Sequence, residues 1–508
     1  MTKKLVSMML AVMLLAGLTV SFAAAEDYPD LEIWSNNNGY LAVEKGGALY
    51  NFYKELTGVG ITQPYIEWNG GTTYQEQLNL RIAANEMPDM FIPVNGMETD
   101  LIRAGAILDL TDLLPEKAPH LYAAIPEAVW DVVKANDPTG QGRIYYIPGV
   151  LTFARSGGII RQDWLDALNM EMPKTQEEFV EVLRAFRDKD PNGNGQADEI
   201  PTGGRAEARW MDYLFSMYGV ASWEGYPQWD LYNGELTYSA VTPNMKEALA
   251  WIASLYAEGL LDPETLLNDK AAWDGKINSG RVGVYHHWAQ ASYEYAESIK
   301  DATGTEAKLV VIPPISAEGY EGGYTQLQVG SVQFVVTNTR DESKINAVMR
   351  VLDCYGNDEM REQFVLGVPG MHCTYDENGK GSRLPVDMQH QENMIFHPDE
   401  TLASIESTTD SLNMIRSEDT AWAVDQSIEN LSHMVEYGRP IAGDGVPNSI
   451  YSDYPDIQNR ILYAQYASKI ITGEYPIDKF DEFVEKWYAS GGNAVTERAR
   501  EWYRKVSE

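Results

Sequence analysis

The chain reads as an α/β protein of about two domains, and three observations carry that reading. Between Leu31 and Ile92, short apolar runs alternate with helical spacing in the order strand, helix, strand, helix, strand, which is the order of a parallel sheet. Strand-like runs recur at Ile144–Ile147, Gly157–Ile160, Arg281–Tyr285, Leu309–Ile312 and Val332–Val336, with helical stretches among them. Setting aside an N-terminal leader leaves about 480 residues, more than one hydrophobic core usually serves.

The leader comprises residues 1–25. It has Lys3 and Lys4, an apolar run from Leu5 to Val20, and Ala23-Ala24-Ala25 ahead of Glu26-Asp27. That is the pattern of a cleaved signal peptide, with an uncleaved membrane anchor as the alternative. The mature protein is therefore expected outside the cytoplasm: secreted, at the cell surface or in a periplasm. Leu14-Leu15-Ala16-Gly17 is followed by Leu18, where a lipid anchor requires cysteine. The formal charge of −36 becomes −38 once Lys3 and Lys4 leave, a field that disfavours nucleic acid and anionic membrane. Cys354 and Cys373 are the two cysteines, and a bridge between them is open in such a compartment.

Taken in order, Leu31–Trp34 is a strand whose end opens into the polar loop Ser35–Gly39. Loops at that end are where open α/β sheets bind ligands. A helix is expected over 44–57, a second strand over Tyr65–Trp68 ending in Asn69-Gly70-Gly71, a helix over Tyr74–Asn85 and a third strand over Pro88–Ile92. Pro148–Ser156 is the first crossing between domains. A helix start follows at Asp163-Trp164-Leu165, where Arg161 and Asp163 serve to orient it. Another lies at Pro173-Lys174-Thr175, where Thr175 and Glu178 form a capping box. Further helices are expected over 205–219, 243–258 with Gly259 as the stop, and Glu342–Cys354. The remainder is mostly helical, with breaks near 367–370 and 438–447.

The segment Asp188–Glu199 spaces oxygen-bearing side chains at alternate positions around Gly193 and Gly195, as a calcium loop does. Two registers fit. One starts at Asp188, with Gly193 sixth and Glu199 twelfth; the other starts at Asp190, with Gly195 sixth. Pro201 and Gly203 prevent a following helix, so the loop reads as a structural clip rather than a sensor.

Tyr74-Gln-Glu-Gln-Leu-Asn-Leu80 before Pro88-Asp89, Ile160-Arg-Gln-Asp-Trp-Leu165 before Pro173-Lys174-Thr175, and Gly283-Val-Tyr285 before Trp288 resemble the extracellular solute-binding proteins of carbohydrate ABC importers. The loop Asp190–Pro201 resembles that of the larger calcium-loop-containing, alginate/oligosaccharide-binding branch. The resemblance implies a two-lobed periplasmic-binding-protein fold, maltose-binding-protein-like, with a hinge. It implies an N-terminal lobe of 26–152 plus 290–338 and a C-terminal lobe of 155–285 plus 342–508 containing the calcium loop 188–199. Crossings are implied near 152–156, 283–290 and 336–342. It favours the second calcium register, with Asp190, Asn192, Asn194, the Gln196 carbonyl, Asp198 and Glu199 as ligands of a structural calcium. An oligosaccharide ligand, ABC permease subunits as partners, a monomeric state and no catalysis are implied as well.

Sugars present apolar faces and hydroxyl rings, so their sites combine flat aromatics with amides and carboxylates. Candidates are Trp34 with Asn36 and Asn37, Trp68 with Asn69, His287 with Trp288, then Trp210, Trp223 and Trp422, and Gln326 in a loop between two strands. His286 and His287 should point to opposite faces of their strand rather than share a metal. A secreted glycoside hydrolase or polysaccharide lyase is the rival class. Among 75 acidic residues a carboxylate pair can always be found, so the pair decides nothing. The Gly-x-Ser-x-Gly and His-Glu-x-x-His patterns do not occur. A binder of peptides or another small solute on the same fold is the other alternative.

Overall fold

The computed structural model describes residues 28–35, 42–66, 72–94, 96–376, 379, 381–384, 402–458 and 460–507. The leader at 1–25 and the candidates Asn36, Asn37, Trp68 and Asn69 lie outside the described residues.

The first sheet has six strands, in the order Leu402–Ala403, Tyr146–Leu151, Val329–Val336, Met90–Phe91, Leu31–Trp34, Ile61–Thr62. Leu31–Trp34 runs parallel to both of its neighbours, as the alternation demands. The second strand lies at Ile61–Thr62; of the expected Tyr65–Trp68 only Tyr65 and Ile66 are described, and neither is in a strand. Helix Ala48–Thr57 ends on Gly58 in the left-handed region (φ 86), so the chain turns at once and seats buried Ile61 beside Leu31, leaving Tyr65 exposed. Val329–Val336 enters antiparallel between Tyr146–Leu151 and Met90–Phe91. The second sheet has the order Leu309–Val311, Ser156–Arg161, Val282–Trp288, Ile200–Thr202.

Each sheet has its own core. One holds Leu31 to Val150, then Phe334 to Phe364, and Leu402; the other holds Leu151 to Tyr324 and Ala403 to Ala499. The chain therefore passes between lobes near 152–155, 327–328 and 403–404. Core membership changes near the expected 152–156 and does not change near 283–290 or 336–342. Val282–Trp288 runs straight into helix Ser292–Thr303, which buries Tyr295, Ala296 and Ile299 in the second core. Residues 290–324 thus pack with the C-terminal lobe. Conversely, helix Glu342–Gly356 buries Ala347, Val348, Val351 and Leu352 in the first core. It comes so close to Leu121 that a Cβ on Gly356 would collide with that residue's backbone. Residues 342–364 thus pack with the N-terminal lobe.

Local signals fare unevenly. Thr175 caps helix Gln176–Asp188 by accepting from Glu178 N, while the Glu178 carboxylate accepts from Lys174 N rather than from Thr175. Helix Pro243–Ala257 is followed by Gly259 at φ 73. Arg161 is buried and bonds Asp163 at 2.8 and 2.6 Å, orienting the helix start. The expected helix over 205–219 is broken: Glu207, Ala208 and Trp210 all take positive φ, and the regular helix covers only Asp212–Ser216. Cys354 sits in the first core and Cys373 bonds the Gly367 carbonyl, so they are not bridged to one another. Among the described residues no helix is long and apolar enough to cross a membrane.

Candidate functional site

Strand pairing fixes where the second lobe meets the crossings. Trp288 lies opposite Ser156, His287 opposite Gly157 and His286 opposite Gly158, so the end of Val282–Trp288 stands beside the first crossing. Alternation sends the histidines to different partners. His286 lies parallel to Tyr213 (6.2 Å, 9°), and His287 stacks on Trp210 (5.0 Å, 26°) and Trp273 (5.7 Å, 20°). Trp288 is half-buried, with the Arg155 guanidinium 3.9 Å from its ring centre. Trp210, Trp273 and His287 are themselves buried (5%, 3% and 9% exposed), so half-buried Trp288 is the open edge of this continuous aromatic face.

Polar groups border that face. Asp212 Oδ1 accepts from Gly225 N at 2.8 Å, whereas its Oδ2 is buried without a partner, 3.6 Å from His286 Nε2. Ser222 Oγ and Trp210 Nε1 are likewise buried without a partner. Buried polar atoms are rarely left so, and such a concentration marks a place where something else bonds. A small cavity lined by Ser156, Asp212, Ser222, His286 and Thr325 lies behind the face. Burial pushes His287 down to about 3 and lowers His286 as well, keeping both rings neutral. Burial, followed by the charge of Asp212, raises the Glu224 carboxyl.

Trp223 is half-buried in the hairpin Ser222–Trp223/Tyr226–Pro227. Its turn has Glu224 at φ 52 and Gly225 at φ 82, a type I′ shape. Glycine is required there because a Cβ on Gly225 would collide with Arg209 Cα. Gln326 lies in the short strand Tyr324–Gln326, not a loop; that strand pairs with Gly438–Pro440 directly before the second crossing. Its neighbour Thr325 Oγ1 accepts from Ser222 N at 3.2 Å, which ties crossing and hairpin together.

Two candidates are located elsewhere. Trp34 is 2% exposed; its ring meets Tyr74 edge-on, its indole N–H donates to Glu32 at 2.6 Å, and Arg81 covers it at 5.3 Å while bonding the same Glu32. That makes Trp34 a core residue in this conformation. Trp422 stands under Lys300 at 4.9 Å on a helix whose Gln426 accepts from Leu309 N. Leu309 pairs with Arg161, at the far end of the sheet from Ser156, so Trp422 does not join the face. Sequence reasoning missed Arg155, Arg205, Arg209, Glu224 and Trp273. The pair Gly203-Gly204 ahead of two arginines and a tryptophan was the available signal.

The loop Asp190–Glu199 curls through positive φ at Asp190, Gly193 and Gly195. The Asp190 carboxylate accepts from Asn194 N and Gly195 N, Asn194 Oδ1 accepts from Gln196 N, and Asn194 Nδ2 donates to Asp198. Asp188 instead ends the preceding helix with its carboxylate on Arg187 at 2.7 and 2.9 Å, so it is turned to another task. Both Glu199 carboxylate oxygens are buried without a partner. Burial, with Asp190 and Asp198 adding to it, raises the Glu199 pKa. Among the described residues no group of three or more His, Cys, Asp or Glu is set to hold a metal. The loop's donors are instead mixed amide, carbonyl and carboxylate oxygens, a set that suits calcium, and the orphaned Glu199 oxygens fit such an ion.

Residues 36–361 match the family model described as bacterial extracellular solute-binding protein. Lipoprotein LipO of Bacillus subtilis (strain 168) is 25% identical over 459 residues, 86% of each chain. The crystal structure of alginate-binding protein AlgQ2 without calcium ion superposes with a TM-score of 0.68 at 19% identity, covering 95% of this chain and 100% of that one. The substrate-binding protein FusA of Streptococcus pneumoniae in complex with kestose gives 0.68 at 21%, covering 94% and 99%; a further FusA structure is of an EF-hand mutant. These likenesses show the two-lobed fold of solute-binding proteins.

Proposed function

We propose, since the chain belongs to the bacterial extracellular solute-binding protein family, that it binds an oligosaccharide between its lobes and hands it unaltered to an ABC importer permease. The observation that carries this is the aromatic face of Trp288, His287, Trp210 and Trp273 beside the first crossing, with unsatisfied polar atoms at its border. Trp288, backed by the buried rings, takes the C–H face of a sugar, and Asp212, Ser222 and Glu224 supply acceptors and donors for hydroxyls. FusA and AlgQ2, which share the fold, are named for fructooligosaccharide and alginate. Family membership gives an extracytoplasmic location, and Leu18 in place of a cysteine supports release rather than lipid anchoring. The working unit is a monomer.

Three crossings joining two separate cores suit hinge closure, in which the ligand favours the closed arrangement by contacting both lobes. A bound glycan should lower the radius of gyration in small-angle scattering and be recovered intact after long incubation. An unchanged profile at saturation contradicts closure, and released product contradicts simple binding.

Calcium is the second component of the proposal. Asp190, Asn192, Asn194, the Gln196 carbonyl, Asp198 and Glu199 would hold it, and the ion would supply the positive charge that lets three carboxylates sit together. The loop ties the end of helix Gln176–Asp188 to strand Ile200–Thr202, so its role is to stabilise the lobe and not to touch sugar.

A further inference from the structure

We infer that the ligand carries a carboxylate, as a uronic-acid oligosaccharide does, and that Arg205, Arg209 and the indole N–H of Trp210 form the subsite that reads it. The inference rests on the oligosaccharide reading above and narrows its substrate class.

Cations are scarce in this chain, with 39 Lys and Arg against 75 Asp and Glu, and many arginines elsewhere are spent on carboxylates, as in Arg81–Glu32, Arg184–Glu258, Arg416–Asp425 and Arg439–Asp230. Arg205 and Arg209 belong to a smaller set, with Arg281, Arg350 and Arg460, that is engaged otherwise. Among the described residues neither makes an ion pair. Arg205 stands over Trp210 and Trp273 at 5.4 and 5.9 Å, and Arg209 over Tyr226 at 4.3 Å with its Nε on the Glu224 carbonyl. Of the carboxylates nearby, Asp274 holds Lys270 and Tyr295, Asp212 accepts from Gly225 N, and Glu224 lies within electrostatic reach of both arginines without forming an ion pair to either. Burial and the neighbouring Arg209 both lower the Arg205 pKa, against the opposing charges of Asp274 and Glu224.

The backbone holds them there. Arg205 N donates to Arg209 O and Arg209 N donates to Arg205 O, and the turn between them places Glu207 and Ala208, with Trp210 directly after, at positive φ. Non-glycine residues so placed are strained, and such strain concentrates where a ligand is met. Trp210 is 5% exposed and its Nε1 has no partner, a buried donor beside two half-buried guanidiniums. Two guanidiniums and an indole N–H outnumber the Glu224 carboxylate beside them, so the turn still suits an acceptor-rich group, and a planar fork matches a carboxylate. Through His287 and Trp288 the subsite is continuous with the aromatic face.

The test is a thermal-shift and calorimetric panel on the calcium-loaded mature chain. Its acidic members are oligomers of galacturonate, guluronate/mannuronate and a glucuronate-containing glycan. The galacturonate methyl ester supplies the same skeleton uncharged, a sulfated oligosaccharide supplies a different anion, and fructo-, malto- and manno-oligosaccharides supply neutral chains. An acidic glycan should bind, and its ester or neutral counterpart should be weaker by roughly 10- to 100-fold, the range of one charge-assisted contact. Arg205→Gln should cost the acidic ligand a similar factor, and Arg205→Lys should restore only part of it because the fork is lost. Tight binding of a neutral chain with no preference for acid overturns the inference and leaves the oligosaccharide reading standing. Preference for the sulfated chain over every uronate overturns the carboxylate assignment. If no glycan of any class binds, both readings fall.

Discussion

Trp34 and Trp288 each end a strand, one in each lobe, and each carries a guanidinium over its ring, at 5.3 and 3.9 Å. In the first lobe Glu32 takes both the Trp34 indole N–H and the covering Arg81, so ring, edge and cation are all used between this strand and helix Thr72–Ala83. In the second lobe the neighbours of Trp288 are other aromatics, His287 and Trp210, and the Trp210 N–H is left unspent. A tryptophan at a strand end becomes a platform only where nothing two residues away consumes its polar edge. The same local pattern thus gives packing in one lobe and a candidate binding face in the other.

The largest effect expected from this contrast is on stability. Trp34→Ala removes a fully packed ring and should cost roughly 3–5 kcal/mol, read from denaturant unfolding. Trp288→Ala, at a half-buried position, should cost clearly less. Equal losses would mean that both rings are structural.

Calcium separates the lobes in a second way, since the proposed ion lies wholly in the second. Chelation, or Glu199→Ala, should lower the melting temperature by an amount equivalent to about 1–3 kcal/mol, as withdrawal of a ligand from the folded state does. Glycan affinity measured well below melting should stay within a few-fold, on the order expected for a remote site. Unchanged stability in a demonstrably metal-free sample contradicts the clip. Lost binding in a still-folded sample moves the metal to the ligand site.

The smallest effect is on pH. His287 is held near 3 when folded against its ordinary 6.5, so its contribution is fully present above 6.5 and is lost as pH falls toward 3. Between pH 7 and 5.5 that loss should be about 1 kcal/mol. Asp444 acts with opposite sign. Its carboxylate accepts from Gln328 N and Val329 N at the second crossing, and burial raises it to about 6 from 3.8. Its contribution is therefore present below 3.8 and lost as pH rises through 6. His287→Gln should flatten the acid-side slope of stability against pH, and Asp444→Asn should change the slope between 4 and 6. A wild-type slope retained in either variant assigns the titration elsewhere.

Much of the scaffold was legible because local chemistry decides it: the parallel alternation from Leu31 to Phe91, the Thr175 cap, the Gly259 stop and the strand carrying His286 to Trp288. Lobe membership was not, since Leu309–Val311 and Val329–Val336 are equally apolar, and only pairing decides that one joins Ser156–Arg161 and the other Tyr146–Leu151. The site was half legible. Trp288 and His287 could be read from a strand end, but the 205–210 turn could not, because Glu207, Ala208 and Trp210 adopt positive φ against their own preference. Register of the calcium loop was open in the residues alone, and the Arg187 contact to Asp188 distinguishes the two aspartates only in three dimensions.

One pair of calorimetric titrations, with whichever glycan stabilises the wild-type chain, decides which lobe carries the binding face. Trp288→Ala should weaken binding by at least about tenfold, the worth of a lost stacking platform. Trp34→Phe, which keeps a ring in the first core, should stay within about twofold on the same energy scale. The reverse ranking, with Trp34→Phe the damaging change and Trp288→Ala neutral, would contradict the assignment of the binding face to the second lobe.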